Sequence, residues 1–93
     1  MNLSQAIDIL HDEGAWIIGM EGGEGSTPVQ PKRLGGNLGL VVGNEGEGLR
    51  QLTRKACDEL AALPMNGKVE SLNAATAGSV MIYLAYLKRL GQL

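Results

Sequence analysis

Two stretches, Ala15-Trp16-Ile17-Ile18-Gly19-Met20 and Leu38-Gly39-Leu40-Val41-Val42, are apolar at every position and of strand length. A strand with no polar side chain cannot keep one face in water, so runs of this kind suit a parallel sheet covered on both sides. A third, shorter strand is expected over residues 59–63, stopped by Pro64. The second and third strands are each followed by a loop of small and polar residues and then a helical pattern. Ligands of open α/β sheets bind beyond the carboxyl ends of the strands. Two such loops side by side would make one pocket. The expected fold class is α/β, a mainly parallel sheet flanked by helices, in a single domain over residues 1–93.

Residues 2–13 place Leu3, Ala6, Ile7 and Leu10 at helical spacing. Asn2 or Ser4 can cap the start, and Gly14 can end the helix in a left-handed conformation. Residues 21–37, with Gly22, Gly23, Gly25, Pro28, Pro31, Gly35 and Gly36, read as one long loop, so only three strands are evident. A loop longer than about 12 to 15 residues inside a small domain is usually functional or mobile. A helix is expected from residue 47 or 48 to about 56. Arg50 and Arg54 lie four apart on it with Lys55 beside them, which is ordinarily a solvated basic face and alternatively an RNA-backbone contact.

The last helix is expected over residues 72–90. Its middle is small, and Val80, Met81, Ile82, Leu84 and Leu87 are apolar on more than one face. A helix apolar all round is buried all round. A 93-residue chain can hardly bury one alone, so one face is expected on the sheet and another on a second subunit.

With no Phe and only three aromatic residues, the core has to come from Leu, Val, Ile, Met and Ala. Trp16 reads as core rather than as a base-stacking platform, Cys57 as a small buried apolar residue, and His11 as a structural group near a helix C-terminus. One cysteine makes no internal disulfide, and a cytoplasmic location is the easier reading. The start lacks the basic and apolar regions of a signal peptide, and Asn73, Thr76 and Ser79 argue against a membrane span in the last helix. No metal site is expected. A net charge of −2 does not suit a protein whose own surface neutralises phosphates.

The glycines of Gly43-Asn44-Glu45-Gly46-Glu47-Gly48 raise a phosphate-binding loop, but Leu49 and Arg50 follow where a Walker loop needs Lys and Ser or Thr. The glycine order is also reversed from a dinucleotide loop. Glu45 and Glu47 would repel a pyrophosphate and tolerate a cationic or neutral ligand. Beyond the third strand, Ser71 and Asn73 stand where a helix begins and could simply cap it.

Val42-Gly43-Asn44-Glu45-Gly46-Glu47-Gly48-Leu49 resembles the second signature of the SpoU (TrmH-like) RNA 2′-O-ribose methyltransferases, of the SPOUT superfamily. Leu63-Pro64-Met65 with Val69-Glu70-Ser71-Leu72-Asn73-Ala74 resembles the third. The resemblance implies a deep trefoil knot, a homodimer, an RNA substrate (rRNA or tRNA) and S-adenosylmethionine as cofactor. It implies that Glu45, Ser71 and Asn73 shape the catalytic site. Met20, Gly43, Leu63, Met65, Ser71 and Leu72 would hold the cofactor, and Asn44, Glu45, Arg50 and Lys68 would face the substrate. The family also carries an activating arginine in a first signature further upstream, which has no counterpart here. The chain is thus expected to be the C-terminal part of such a domain, without a separate RNA-binding domain. The alternative is a cofactor-binding or dimerisation module without catalysis, or an inert fragment.

Overall fold

In a computed structural model the described residues are 2–21, 26–43, 49–63 and 74–93, with 74–77 described by their helical backbone. Helix α1 (Leu3–Asp12) leads into β1 (Trp16–Met20). β2 (Thr27–Pro28), a short 3-10 helix (Pro31–Leu34), β3 (Leu38–Val42), α2 (Gln51–Ala56), β4 (Glu59–Ala62) and α3 (Ala74–Arg89) follow. The strands form a sheet in the order β2-β4-β1-β3, parallel at every pairing.

Side chains of β1 alternate between two cores. Ile18 and Met20 face Leu34, Met81 and Ala85, which belong to the 3-10 helix and α3. Ile17 faces the other way, into a cluster with Ile7 of α1, Ala15, Val41 and Leu49. Ile17 and Ile18 are fully buried, and each such burial stabilises the fold by about 1.5–3 kcal/mol. The parallel strand covered on both sides is therefore real, and its cause is the period of two acting on a run with no polar residue.

The start of α1 is a reciprocal cap: the Asn2 side chain accepts from the Gln5 amide and the Gln5 side chain accepts from the Asn2 amide, both at 2.9 Å. Its end turns at Gly14, whose φ of 84° is comfortable only without a Cβ. His11 lies in the last turn, and its Nε2 meets Asp58 Oδ2 at 2.8 Å.

Several expectations are corrected. The stretch 21–37 is not one loop: Thr27 and Pro28 pair with Ala61 and Ala62 at the sheet edge, a position that tolerates proline. Leu34 is completely buried, so the segment also supplies core. Helix α2 starts at Gln51, later than residue 47 or 48, because Arg50 holds an extended backbone as its N-cap.

Trp16 is 37% exposed rather than core. It opens the strand at the sheet end, where its Nε1–H donates to Glu59 Oε1 at 2.7 Å and Arg33 lies 5.2 Å from the ring centroid. Cys57 is only half-buried. No helix among the described residues is long and apolar enough to cross a membrane.

Candidate functional site

Parallel register brings the ends of the three long strands to one edge. Met20 pairs with Val42 on one side and with Ala61 on the other, so the chain leaves the sheet at Glu21, Gly43 and Leu63 on a common rim. The roots of the two loops foreseen as neighbours do not stand on adjacent strands: β1 lies between β3 and β4. Their roots stand two strand spacings apart, about 10 Å, with the tip of β1 between them. The reason is the crossover order, which no local pattern encodes.

Of the residues singled out in the sequence, Met20, Gly43, Leu63 and Arg50 are among those described. Met20 is buried, Leu63 packs against the α3-side core, and Gly43 is half-buried. Arg50 is exposed ahead of α2. Asn44, Glu45, Met65, Lys68, Ser71, Leu72 and Asn73 lie outside the described residues.

An open cleft of about 510 Å³ runs beside Gly43, between Val42, Leu49, Arg50 and Leu52 on one side and Leu3 of α1 on the other. That size is ordinary for a small-molecule site. Its walls are mostly apolar, with Arg50 as the cation. Arg50, Arg54 and Lys55 do not form one free basic face, because Arg54 Nε is held 2.7 Å from Glu21 Oε2.

Glu21 is the residue that sequence reasoning missed. Its other carboxylate oxygen accepts from the Leu49 amide at 2.8 Å, and its own amide donates to Ala61 O at 3.1 Å. The only local signal was an acid directly after an apolar strand. Its partners lie 28 and 33 residues on, and only the parallel register brings them near.

The thiol of Cys57 is pushed up from its ordinary value, first by burial and then by the negative charges of Asp58 and Glu21. It therefore stays a neutral donor, here to Thr53 O at 3.2 Å, and not a nucleophile. Among the described residues no three His, Cys, Asp or Glu side chains converge on a possible metal position.

A fit with S-adenosylmethionine can be judged from the rim itself. Met20 and Leu63 offer apolar surface at the rim, while Arg50 lines the cleft beside Gly43 and Arg54 is paired with Glu21. Apolar strand ends of this kind suit an adenine ring and a thioether chain.

Comparison with known proteins gives a consistent result. The model of the SpoU rRNA Methylase family matches residues 1–83. The 23S rRNA (guanosine-2′-O-)-methyltransferase RlmB of Xanthomonas campestris is 43% identical over 90 residues, covering 97% of this chain and 36% of that protein. The RlmB of Escherichia coli K12 is 43% identical over 88 residues, covering 95% of this chain and again 36% of the relative. This chain therefore spans about a third of the length of these relatives.

Among solved structures, the A. aeolicus TrmH/SpoU tRNA modifying enzyme superposes with a TM-score of 0.81 at 26% identity, over 98% of this chain and 46% of that one. The SpoU methyltransferase AviRb from Streptomyces viridochromogenes, solved in complex with AdoMet, gives 0.79 at 24% identity, over 97% and 37%. That second likeness speaks for the fold alone.

Proposed function

The chain belongs to the SpoU rRNA methylase family, and from that premise we propose that it is the S-adenosylmethionine-binding part of an RNA 2′-O-ribose methyltransferase acting on rRNA or tRNA. The observation that carries the reading is the common rim: Met20, Val42 and Ala61 stand level, so both signature loops begin on one edge. Support for the cofactor comes from the apolar surface that Met20 and Leu63 give that rim and from the family, whose matched relatives are methyltransferases. The relatives' names support the RNA substrate.

In this reading Met20, Gly43, Leu63, Met65, Ser71 and Leu72 hold the cofactor. Its sulfonium, when bound, supplies an electrophilic methyl group. A ribose 2′-hydroxyl is a weak acid, so the site has to take its proton and hold it in line with the methyl. Glu45, Ser71 and Asn73 shape that arrangement, and Asn44, Arg50 and Lys68 face the RNA. The knot and the homodimer belong to the same proposal, as does a cytoplasmic location, where rRNA and tRNA are modified.

The test has two stages. Calorimetry with S-adenosylhomocysteine is expected to show one saturable site per chain, and no heat of binding would overturn the cofactor assignment. Methyl transfer from labelled S-adenosylmethionine to bulk rRNA and tRNA then separates enzyme from module. Label in alkali-resistant dinucleotides marks 2′-O transfer, and binding without transfer marks a cofactor-binding module.

A further inference from the structure

We infer that Glu21 is a positioning residue that ties the roots of both signature loops to the tip of β1, the first through its side chain and the second through its backbone amide. The inference rests on the cofactor reading above for its consequence and on the geometry alone for its mechanism. Three contacts leave this one residue in three directions. Its amide donates to Ala61 O at 3.1 Å, tying it to β4 two residues before Leu63. Oε1 accepts from the Leu49 amide at 2.8 Å, and Oε2 meets Arg54 Nε at 2.7 Å. The Leu49 amide meets Oε1 and the Arg54 guanidinium meets Oε2, so the two contacts can be made together.

The consequence follows from where those partners lie. The loop 44–48 starts from Val42 and Gly43, and Val42 is paired with Met20. It ends on Leu49, which Glu21 holds. Both roots of that loop are therefore pinned to residues 20 and 21. The loop beyond Leu63 starts from β4, where Ala61 is paired with Met20 and accepts from the Glu21 amide. Two segments far apart in the chain thus take their relative placement from one residue between them. A displacement of about 1 Å in such a setting can cost on the order of a hundredfold in reactivity.

An incidental surface ion pair is the competing explanation, and such pairs contribute little. The Glu21 side chain is only 18% exposed, and one of its two partners is a backbone amide of a buried residue, Leu49 at 8%. A surface pair has neither property. Leu49 is also part of the α1-side core, so the contact joins the loop root to a packed cluster rather than to a swinging side chain.

Three variants test the assignment: Glu21→Ala, which loses both side-chain contacts, Glu21→Gln, whose amide oxygen still accepts from Leu49, and Arg54→Met, which removes the ion pair alone. Without any ligand, amide exchange at Leu49 and through residues 44–48 is expected to speed up in Glu21→Ala and to stay near the parent rate in Glu21→Gln. Core amides of β1 serve as the internal reference. Titration with S-adenosylhomocysteine should weaken by about tenfold in Glu21→Ala, about 1.4 kcal/mol, and stay near the parent in Glu21→Gln and Arg54→Met, which both keep the Leu49 contact.

If Glu21→Ala exchanges at Leu49 at the parent rate, or binds S-adenosylhomocysteine as tightly as the parent whatever its melting temperature, the assignment is overturned. Should Glu21→Ala fail to fold, Glu21→Met, which fills similar space without an acceptor for the Leu49 amide, takes its place in both readouts. A parent chain that does not bind S-adenosylhomocysteine sinks the cofactor reading, and the ligand-free exchange then decides the role of Glu21 by itself.

Discussion

Asp58 and Ile17 hold each other twice: the Ile17 amide donates to Asp58 Oδ2 at 2.7 Å, and the Asp58 amide donates to Ile17 O at 2.8 Å. This reciprocal pair sits at the start of the β1–β4 ladder and sets its register, Ile18 against Glu59. His11 Nε2 reaches the same Asp58 oxygen at 2.8 Å, so the end of α1 joins the arrangement.

Acid sensitivity follows from that carboxylate. Burial pushes the Asp58 carboxyl up, but the Ile17 amide, the His11 hydrogen bond and the His11 charge outweigh it, leaving it below its ordinary value of 3.8. A depressed carboxyl contributes stability that is fully present above the unfolded value and is lost as pH falls through the folded one. Urea unfolding at pH 7 and pH 3 should show the parent losing more stability than Asp58→Asn over that interval. At pH 7, Asp58→Ala should be less stable by about 1–2 kcal/mol, since it leaves the Ile17 amide without its partner. Equal acid slopes in parent and Asp58→Asn would refute the account.

Gly19 is the second lever. A Cβ there would lie 2.9 Å from Cys57 Sγ, Leu49 Cδ1 and Leu60 Cδ2 at once. Each is the end of a side chain and could yield alone, but the three converge from α2, its preceding loop and β4. Gly19→Ala is expected to cost about 1–3 kcal/mol through overpacking, read as a drop in the urea midpoint. Gly36→Ala makes an instructive contrast: none of the described residues lies within 4 Å of its Cβ position, so its cost comes from its φ of 73°. Gly19→Ala should therefore perturb the Leu49 and Cys57 resonances, and Gly36→Ala should not.

Much of the architecture was legible because the apolar runs at 15–20 and 38–42 leave no other arrangement than a doubly covered strand. Residues 27–28 and Leu34 were not legible. Proline and glycine dominate that stretch, and a two-residue edge strand carries no period to detect. Likewise Met20, Gly43 and Leu63 could be proposed from signature likeness, while Glu21 could not, since its role arises from contacts between segments. Trp16 was misjudged for a related reason. Composition says that a lone tryptophan belongs in the core, but position 16 is the open end of the strand, where Arg33 and Glu59 provide a polar setting for the ring.

That setting makes Trp16 a reporter. Arg33 covers the ring while its own side chain is 49% exposed, so the stacking contributes no more than about 1 kcal/mol. Arg33→Ala should leave the urea midpoint nearly unchanged and shift the tryptophan emission to longer wavelength as the ring gains water. Trp16 is the one tryptophan, so the shift has a single source. An unchanged spectrum would mean that Arg33 does not lie on the ring in solution.

The outward side of α3 makes the last prediction. Met81 and Ala85 are buried against the sheet, yet Ile82, Tyr83, Tyr86 and Leu90 are exposed by 64%, 60%, 55% and 52% in the isolated chain. Their spacing of three and four residues puts them on one stripe, and Tyr83 and Tyr86 lie with ring centroids 6.2 Å apart. The sequence asked for a helix covered on two sides, and the described residues cover one. In the proposed homodimer the second copy covers the stripe, which is rich in the residue types that anchor interfaces. Sedimentation equilibrium at micromolar concentration should then give a dimer for the parent chain. Tyr86→Glu should dissociate it, because the new carboxylate would lose its hydration at the interface, with its far-UV spectrum retained. A parent chain that sediments as a monomer, or a Tyr86→Glu chain that stays dimeric, would remove α3 as the dimer face.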